Sequence, residues 1–315
     1  MSQRRSRLAP SPTGALHLGN ARTFLINWAM ARQHDWSLIL RIEDLDHPRV
    51  KPETIDQARR DLSWLGIDWD EEMPVQTTDL DPCRQALVTL GKAGRIFACN
   101  KTRREIECSA PQEGDASVVY PAAMRPADAG KIVANPDPSC SWRLLVEDGD
   151  EVVNDAIAGT HTFNLSRSPG DFPVWTAPRR TGGTGGPTYQ MAVAVDDARQ
   201  GVTDVLRGND LLDSAARQQV LYRTLGLTAP TWWHVPLVRG PDGRRLAKRH
   251  GDTRVAMYRQ RGCAPHQIIG LMAYWCGLTS TRQALSADEF CNAMDLSCLP
   301  REDVTLTDED VRWLD

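Results

Sequence analysis

Residue types that bind phosphate are concentrated between Arg7 and Asn20. This Pro-, Ser- and Gly-rich segment leads into an amphipathic pattern, so it marks a point where a strand passes into a helix. A helix N-terminus presents unpaired N–H groups and a partial positive charge to anions. His17 can donate a hydrogen bond to a phosphate oxygen, and Gly19 lets a ligand approach the backbone. A lone His-x-Gly is more often a surface turn, so this prediction needs support from the rest of the chain.

A basic segment in the last third of the chain is a second candidate for phosphate binding. Between Arg239 and Arg261 there are eight Lys or Arg residues and two Asp residues. Lys248 lies in this segment, after a turn predicted at 241–243. Such a density of positive charge suits the phosphates of ATP or of a nucleic acid. Taken alone, a solvated basic turn is the more common explanation.

Bringing these segments together requires an α/β fold. The apolar pattern predicts strands at Ser6–Pro10 and Leu38–Ile42, and helices around Ala21–Trp28 and over Glu53–Leu65. Such alternation is typical of a parallel sheet, in which ligands collect at the carboxyl ends of the strands.

The remaining two-thirds of the chain is less regular. Cys99 to Pro138 predicts an inserted, loop-rich module, and the Gly-rich stretch 179–187 predicts a flexible loop rather than a phosphate cradle. Met191–Val195 is predicted to be a strand, and Asp213–Leu225 a helix that ends at Gly226. The chain after residue 265 is predicted to be mainly helical.

The composition is that of an ordinary globular protein. The 315 residues carry 37 Lys and Arg against 41 Asp and Glu, a formal charge of −4. No stretch approaches the ~18 consecutive apolar residues of a membrane span, and no signal peptide is evident, so we expect a cytoplasmic protein that does not enter a membrane. The eight cysteines form no CxxC pair, which argues against a disulfide framework or a zinc finger as the basis of the fold.

Five motifs, in the same order along the chain, resemble those of class I aminoacyl-tRNA synthetases of the glutamyl type. They are PSPTG with HLGN at 10–20 (the HIGH motif), RIEDLD at 41–46, Tyr189 with Val195–Asp197 (its second-half strand), GVTDVLRGND at 201–210, and RLAKR at 245–249 (the KMSKS loop). Asn20 stands in place of the second His of HIGH, and Arg245 and Ala247 replace Lys and Ser of KMSKS. The second Lys of that loop is retained as Lys248.

The resemblance implies a Rossmann-like catalytic domain that binds MgATP and activates L-glutamate. In this reaction the α-carboxylate attacks the α-phosphate of ATP as pyrophosphate leaves, so catalysis consists mainly of positioning and charge stabilisation. The catalytic donors would be His17 and Lys248. The ATP-binding set would be His17, Gly19, Asn20 and Lys248.

A glutamate substrate needs a cation for its side-chain carboxylate and an anion for its ammonium group. Arg7 and Arg207 could supply the first and Glu43 the second. By resemblance, the complete glutamate pocket comprises Arg7, Ala9, Ser11, Glu43, Tyr189 and Arg207. The carboxylates of Asp44 and Asp46 could orient other groups or form a turn, and the sequence leaves both roles open.

The chain after the KMSKS-like loop is short. Only 66 residues follow Arg249, too few for the helical anticodon-binding region of ordinary glutamyl-tRNA synthetases. This resembles the truncated branch of the family, which transfers glutamate to the queuosine base in the anticodon loop of tRNA(Asp). The alternatives are an enzyme that charges the tRNA 3′ end and a synthetase-like binding module without catalysis.

The truncated branch commonly binds zinc through two Cys residues in a Cys-x-Cys, a Tyr and a later Cys. The corresponding residues here are Cys99, Lys101, Tyr120 and Met124, which cannot form a closed tetrahedral site, so we expect no metal site and no structural zinc. We also expect a monomer. The predicted division of the chain is 1–98 (first half of the catalytic domain), 99–188 (inserted acceptor-type module), 189–260 (second half) and 261–315 (C-terminal helical region).

Overall fold

The computed structural model describes residues 3–12, 15–45, 50, 52–109, 119–178, 184–244, 246 and 253–315. The α-helices of this part are α1 Leu18–Gln33, α2 Pro52–Trp64, α3 Asp81–Lys92, α4 Arg103–Ser109, α5 Tyr189–Arg199, α6 Leu212–Leu225, α7 Val255–Gln260, α8 Pro265–Trp275, α9 Ala287–Ala293 and α10 Asp308–Leu314. The strands are β1 Arg5–Leu8, β2 Ser37–Leu40, β3 Glu71–Glu72, β4 Ile96–Ala98, β5 Trp142–Leu144, β6 Asp150–Asp155, β7 Gly159–Asn164, β8 Pro173–Thr176, β9 Gly186–Pro187, β10 Asp204–Gly208, β11 Thr231–Val235, β12 Val238–Arg239 and β13 Val304–Thr305.

Two parallel groups of strands meet at the centre of the molecule. On one side β1, β2 and β3 are paired in that order, and on the other β10 pairs with β11, which pairs with β6. β1 lies beside β10, because the Arg5 N–H donates to Thr203 Oγ1 (2.8 Å) and the Thr203 N–H donates to the Arg5 carbonyl (2.9 Å). The strand order therefore reverses between β1 and β10, and in an open α/β sheet ligands bind at such a switch point.

Helix α1 packs across this junction and is buried on most of its surface. Leu25, Ile26 and Ala29 have no exposed surface, and they belong to a core cluster shared with β1, β2 and the C-terminal helices. Arg22 is also fully buried, and its guanidinium donates to the carbonyls of Pro236 (2.7 Å) and Trp275 (3.2 Å). These bonds connect α1 to the second half of the sheet and to α8.

Most of the predicted elements are confirmed, within a few residues at their ends. β1, α1, β2 and α2 form the predicted strand–helix alternation. The predicted helix over 213–225 is α6, and Gly226 ends it in the left-handed conformation with φ +69°. The chain after residue 265 is mainly helical, with the short strand β13 added to β12.

The predicted strand over Met191–Val195, which the resemblance also described as a strand, is wrong. These residues are part of helix α5, and all five are at least 94% buried. An apolar run that is buried on every side has no 3.6-residue period to reveal a helix, and its two valines favour a strand by propensity alone. Tertiary packing against the second core cluster overrides that preference.

The middle of the chain contributes two separate pieces. β4, β5, β8 and β9 form an antiparallel sheet, while β6 and β7 form a hairpin. The hairpin falls within the range 99–188 that the sequence assigns to an insertion, and yet β6 continues the sheet that holds β10. No helix in the described part of the chain is long and apolar enough to cross a membrane.

A glycine in α8 allows close packing in the C-terminal region. A Cβ atom at Gly270 would lie 1.7 Å from the backbone carbonyl oxygen of Gln283. The adjoining helix and chain can therefore approach this closely only because residue 270 has no side chain.

We expect Gly270→Ala to lower the free energy of unfolding by at least about 3 kcal/mol, because the atoms that the new methyl group would meet belong to the backbone of Gln283 and Ala284 and cannot move aside as a side chain could. Urea unfolding followed by circular dichroism measures this. The control Gly226→Ala, whose Cβ would meet nothing within 4 Å, should cost only about 1 kcal/mol for its left-handed conformation; equal costs for the two variants would contradict the packing described here.

Candidate functional site

A cleft of about 350 Å³ opens at the carboxyl ends of β1 and β10. Eight of the ten residues that the sequence assigns to a site line this cleft. They are Arg7, Ala9, His17, Gly19, Asn20, Glu43, Tyr189 and Arg207. The structure therefore brings together side chains that are 200 residues apart in the sequence.

The other two assigned residues are not among those lining the cleft. Ser11 is exposed and lies outside the lining set. Lys248 falls outside the described residues, as do Arg245, Ala247, Asp46 and 179–183 of the Gly-rich stretch. Their assigned roles stay predictions.

Two of the lining residues, Arg7 and Glu43, belong to a buried group of alternating charges. The carboxylate of Asp197, on α5, lies 2.7 Å from Arg41 Nη1 and 3.4 Å from Arg7 Nε. Arg41 Nη2 in turn lies 2.9 Å from Glu43 Oε1. Arg41 and Asp197 have no exposed side-chain surface, and Arg7 is 5% exposed. Because each charge has an opposite neighbour, the group can remain ionised away from water.

Burial and charge act against each other on the pKa values of this group. Burial raises the pKa of Glu43, although the guanidinium groups of Arg41 and Arg7 oppose the rise. Burial alone would lower the pKa of Arg41, but the charges of Asp197 and Glu43 outweigh it and raise that pKa. The guanidinium groups of Arg41 and Arg7 favour the ionised form of Glu43, which lines the cleft just beyond β2 and in that form can accept from an ammonium group.

Arg207 lines the cleft near the end of β10. Arg207 is 5% exposed, and its Nη1 donates to the hydroxyl of Tyr189 (3.4 Å), an exposed residue at the start of α5. Its Nη2 donates to the Leu211 carbonyl (3.2 Å). Burial lowers the pKa of Arg207, but a guanidinium stays protonated at any ordinary pH. Arg7 and Arg207 therefore place two cations at one end of the cleft, which suits a carboxylate ligand.

His17 lies at the other end of the cleft, at the N-cap of α1. Its Nδ1 lies 3.0 Å from Thr253 Oγ1. Two backbone hydrogen bonds join the same two segments. The Leu18 N–H donates to the Thr253 carbonyl (3.0 Å), and the Val255 N–H donates to the Leu16 carbonyl (2.9 Å). The segment that follows the basic loop is thus attached to the N-terminus of α1, where helix N–H groups face the cleft and favour an anion.

Asp44 is a structural carboxylate in the described residues. Its Oδ1 accepts from the Thr77 N–H (2.8 Å) and its Oδ2 from the Thr77 hydroxyl (2.5 Å), which fixes the short 3₁₀ helix Gln76–Thr78. The sequence leaves two roles open for Asp44, and in the structure its carboxylate stabilises this turn.

The residues that correspond to the family's zinc ligands make other contacts in this structure. Cys99 Sγ lies 3.9 Å from the Tyr120 hydroxyl, which donates to the Met124 carbonyl (2.9 Å). Burial raises the pKa of Tyr120 to about 12, so the phenol keeps its proton. Lys101 is exposed and offers no thiolate. Within the described residues there is no group of three His, Cys, Asp or Glu side chains that could hold a metal ion.

Several residues of the site were not identified from the sequence. In the sequence Asp197 is only the last residue of a predicted strand motif, and no pattern points to Thr253, His234 or Asp155. Asp197 carries one signal, since two consecutive Asp residues after an apolar run are unusual in a buried element. The other three act through contacts between distant segments, which a single sequence does not reveal.

Comparison with known proteins gives a consistent result. Residues 3–313 match the family model described as tRNA synthetases class I (E and Q), catalytic domain. The chain is 42% identical to a glutamyl-Q tRNA(Asp) synthetase of Rhodopirellula baltica, covering 96% of this chain and 94% of that protein. It is 41% identical to a glutamyl-Q tRNA(Asp) synthetase of Symbiobacterium thermophilum, with coverage of 98% and 97%. The crystal structure of glutamate-tRNA synthetase from Elizabethkingia anophelis superposes with a TM-score of 0.80 at 25% identity, covering 99% of this chain and 70% of that one.

The buried charges make a prediction about stability. Asp197→Asn removes the carboxylate that lies between Arg7 and Arg41, so we expect the free energy of unfolding to fall by about 3 kcal/mol. Urea unfolding checks this. The control is Asp56→Asn on α2, a 62% exposed carboxylate that pairs with Arg59. The control should cost at most about 1 kcal/mol, and a loss as large as that of Asp197→Asn would contradict the importance assigned to the buried group.

Proposed function

Because the chain belongs to the family of class I tRNA synthetases for glutamate and glutamine, we propose that it is a ligase that activates L-glutamate with ATP and transfers it to the queuosine base of tRNA(Asp). The single observation that carries this proposal is that Arg7, Arg207 and Glu43 line one cleft at the switch point. This combination of two cations and one anion matches the charges of glutamate. It supports L-glutamate as the substrate that the cleft holds.

Each charged group of glutamate has a complementary residue in the cleft. Arg7 and Arg207 would bind the side-chain carboxylate, because guanidinium pairs with carboxylate in a two-pronged geometry. Glu43, held by Arg41, would accept hydrogen bonds from the ammonium group. Ala9 and Tyr189, which also line the cleft, would complete the pocket. With both ends held, the α-carboxylate is directed toward the end of the cleft that His17 occupies.

ATP would bind at the N-terminus of α1, next to His17, Gly19 and Asn20. An oxygen of the glutamate α-carboxylate attacks the α-phosphorus of ATP, and the bond from that phosphorus to pyrophosphate breaks. His17 and Lys248 would stabilise the charge that develops on the phosphates. Mg²⁺ would enter with the nucleotide as MgATP. A nucleophile on the queuosine base would then attack the glutamyl carbonyl and release AMP.

The curated relatives support the queuosine base over the tRNA 3′ end as the acceptor. The two glutamyl-Q tRNA(Asp) synthetases match this chain over 94% and 97% of their own lengths. The chain covers only 70% of the Elizabethkingia glutamate-tRNA synthetase. The expectations of a cytoplasmic location, of a monomer and of no structural zinc stay predictions.

The first prediction concerns activation. Glutamate-dependent exchange between ATP and pyrophosphate should proceed without tRNA, and Lys248→Ala should reduce its rate at least about a hundredfold, because the phosphates lose a charge-stabilising group. The matched control is Arg301→Ala, an exposed cation in the C-terminal region, which should leave the rate unchanged. No exchange in the wild type would favour a binding module without catalysis.

The second prediction concerns the acceptor. Radiolabelled glutamate should be transferred to tRNA(Asp) that carries queuosine, including tRNA(Asp) from which the 3′ CCA end has been removed. Transcribed tRNA(Asp) without the modification should accept none. A label on the 3′ end of unmodified tRNA would contradict transfer to queuosine and leave glutamate activation intact.

The third prediction concerns Thr253. Thr253→Val keeps the shape of the side chain but removes the hydroxyl that contacts His17 Nδ1, so we expect kcat for exchange to fall about tenfold with KM for glutamate unchanged. Thr253→Ser retains the hydroxyl and should retain the rate. Equal losses in the two variants would show that the hydroxyl contact does not position His17.

A further inference from the structure

A buried chain of three side chains joins the β6–β7 hairpin to the cleft. The carboxylate of Asp155, at the end of β6, lies 2.5 Å from Nδ1 of His234 on β11. On the other side of the ring, Arg207 Nε lies 3.0 Å from His234 Nε2. The side chains of Asp155 and His234 have no exposed surface. The three residues are therefore connected away from water, with Arg207 at the cleft.

The hydrogen bonds determine where the imidazole carries its proton. The Nε–H of a guanidinium can only donate, so His234 Nε2 must accept and the ring must be neutral. The single proton is then on Nδ1, where it donates to Asp155. Burial lowers the pKa of His234, and the nearby charge of Arg207 lowers it as well. A proton on Nε2 would instead face the N–H of Arg207 and compete for the Leu211 carbonyl.

Asp155 is itself held firmly. Its Oδ1 accepts from the backbone N–H groups of Ile157 (2.9 Å) and Ala158 (2.7 Å), and both oxygens lie 3.1 Å from the His234 N–H. Burial alone would raise the pKa of Asp155, but the hydrogen bonds from His234 and Ala158 outweigh it and hold that pKa below its ordinary value. Asp155 is thus an ionised acceptor fixed by the turn of the hairpin, and it selects the Nδ1–H form of His234.

The partners of Arg207 leave its charge available. Its three nitrogens donate to His234, to the Tyr189 hydroxyl and to the Leu211 carbonyl, all of them neutral groups. The guanidinium lies over the ring of Trp232, 5.0 Å from the centroid. Among the described residues none places a carboxylate in an ion pair with Arg207, in contrast to Arg7, which lies 3.4 Å from Asp197. The neutral ring separates Arg207 from Asp155 while it fixes the orientation of the guanidinium.

We propose that His234, held by Asp155, is a positioning residue that orients Arg207 toward the side-chain carboxylate of glutamate and keeps the charge of Arg207 unpaired for that carboxylate. This inference rests on the proposed function for the identity of the ligand. A carboxylate in direct contact with Arg207 would orient it equally well but would compete with the substrate. The arrangement also makes the β6–β7 hairpin part of the amino-acid site.

The test compares three variants in glutamate-dependent exchange. His234→Phe keeps an aromatic ring but removes both hydrogen bonds, so KM for glutamate should rise about tenfold or more, with KM for ATP unchanged. Asp155→Asn should do the same, because the amide N–H₂ would face Nδ1 and drive the ring proton to Nε2. His234→Gln supplies an oxygen that can accept from Arg207 and should recover most of the affinity. His161→Phe, in the same hairpin, is the matched control and should change neither KM.

Nitrogen NMR of the histidine rings supplies a readout that needs no activity. The wild type should carry the His234 proton on Nδ1, and Asp155→Asn should carry it on Nε2. Any of three results would overturn the inference. The first is a wild-type proton on Nε2, and the second is an unchanged KM for glutamate in His234→Phe. The third is an equal rise in KM for glutamate and KM for ATP across all three variants. If the wild type shows no glutamate-dependent exchange, the proposed function fails, and the ring proton still decides whether Asp155 and His234 hold Arg207 as described.

Discussion

The structure depends on burying ionised side chains at the junction of β1 and β10. A buried guanidinium or carboxylate is costly unless an opposite charge or a set of hydrogen bonds compensates it. Asp197 lies between Arg7 and Arg41, and Arg41 compensates Glu43. Arg207 is stabilised differently, by neutral acceptors and an aromatic ring. The cleft therefore holds one cation that is already paired and one whose charge is available.

The surrounding helices and strands position these charged side chains. α5 must be a helix here, because only then do its apolar residues fill the core while Asp197 meets the ends of β1 and β2. β11 carries His234 beneath Arg207, and the β6–β7 hairpin supplies Asp155 behind it. At the other end of the cleft, the attachment of Thr253 to His17 fixes where the basic segment returns to the N-terminus of α1. The amino-acid end and the phosphate end are thus built from different parts of the same sheet.

Contiguous motifs made part of this arrangement predictable. Arg7 lies within a strand, and His17 and Glu43 lie next to regular elements whose apolar pattern is clear; the structure places all three in the lining of one cleft. The helical nature of α5 was not predictable, because a run buried on all sides has no amphipathic period. The chain from Asp155 through His234 to Arg207 could not be predicted either. Its two contacts join residues that are 27 and 79 positions apart, and each residue taken singly is an ordinary strand residue.

The central claim is that these buried charges select glutamate, and amino-acid specificity tests it most directly. Exchange between ATP and pyrophosphate should be measured with L-glutamate and with L-glutamine, which has the same shape but no side-chain charge. Glutamate should support exchange, whereas glutamine should be at least about a hundredfold less effective in kcat/KM, because it leaves the charge of Arg207 buried and unpaired. Comparable exchange with the two amino acids would contradict the account.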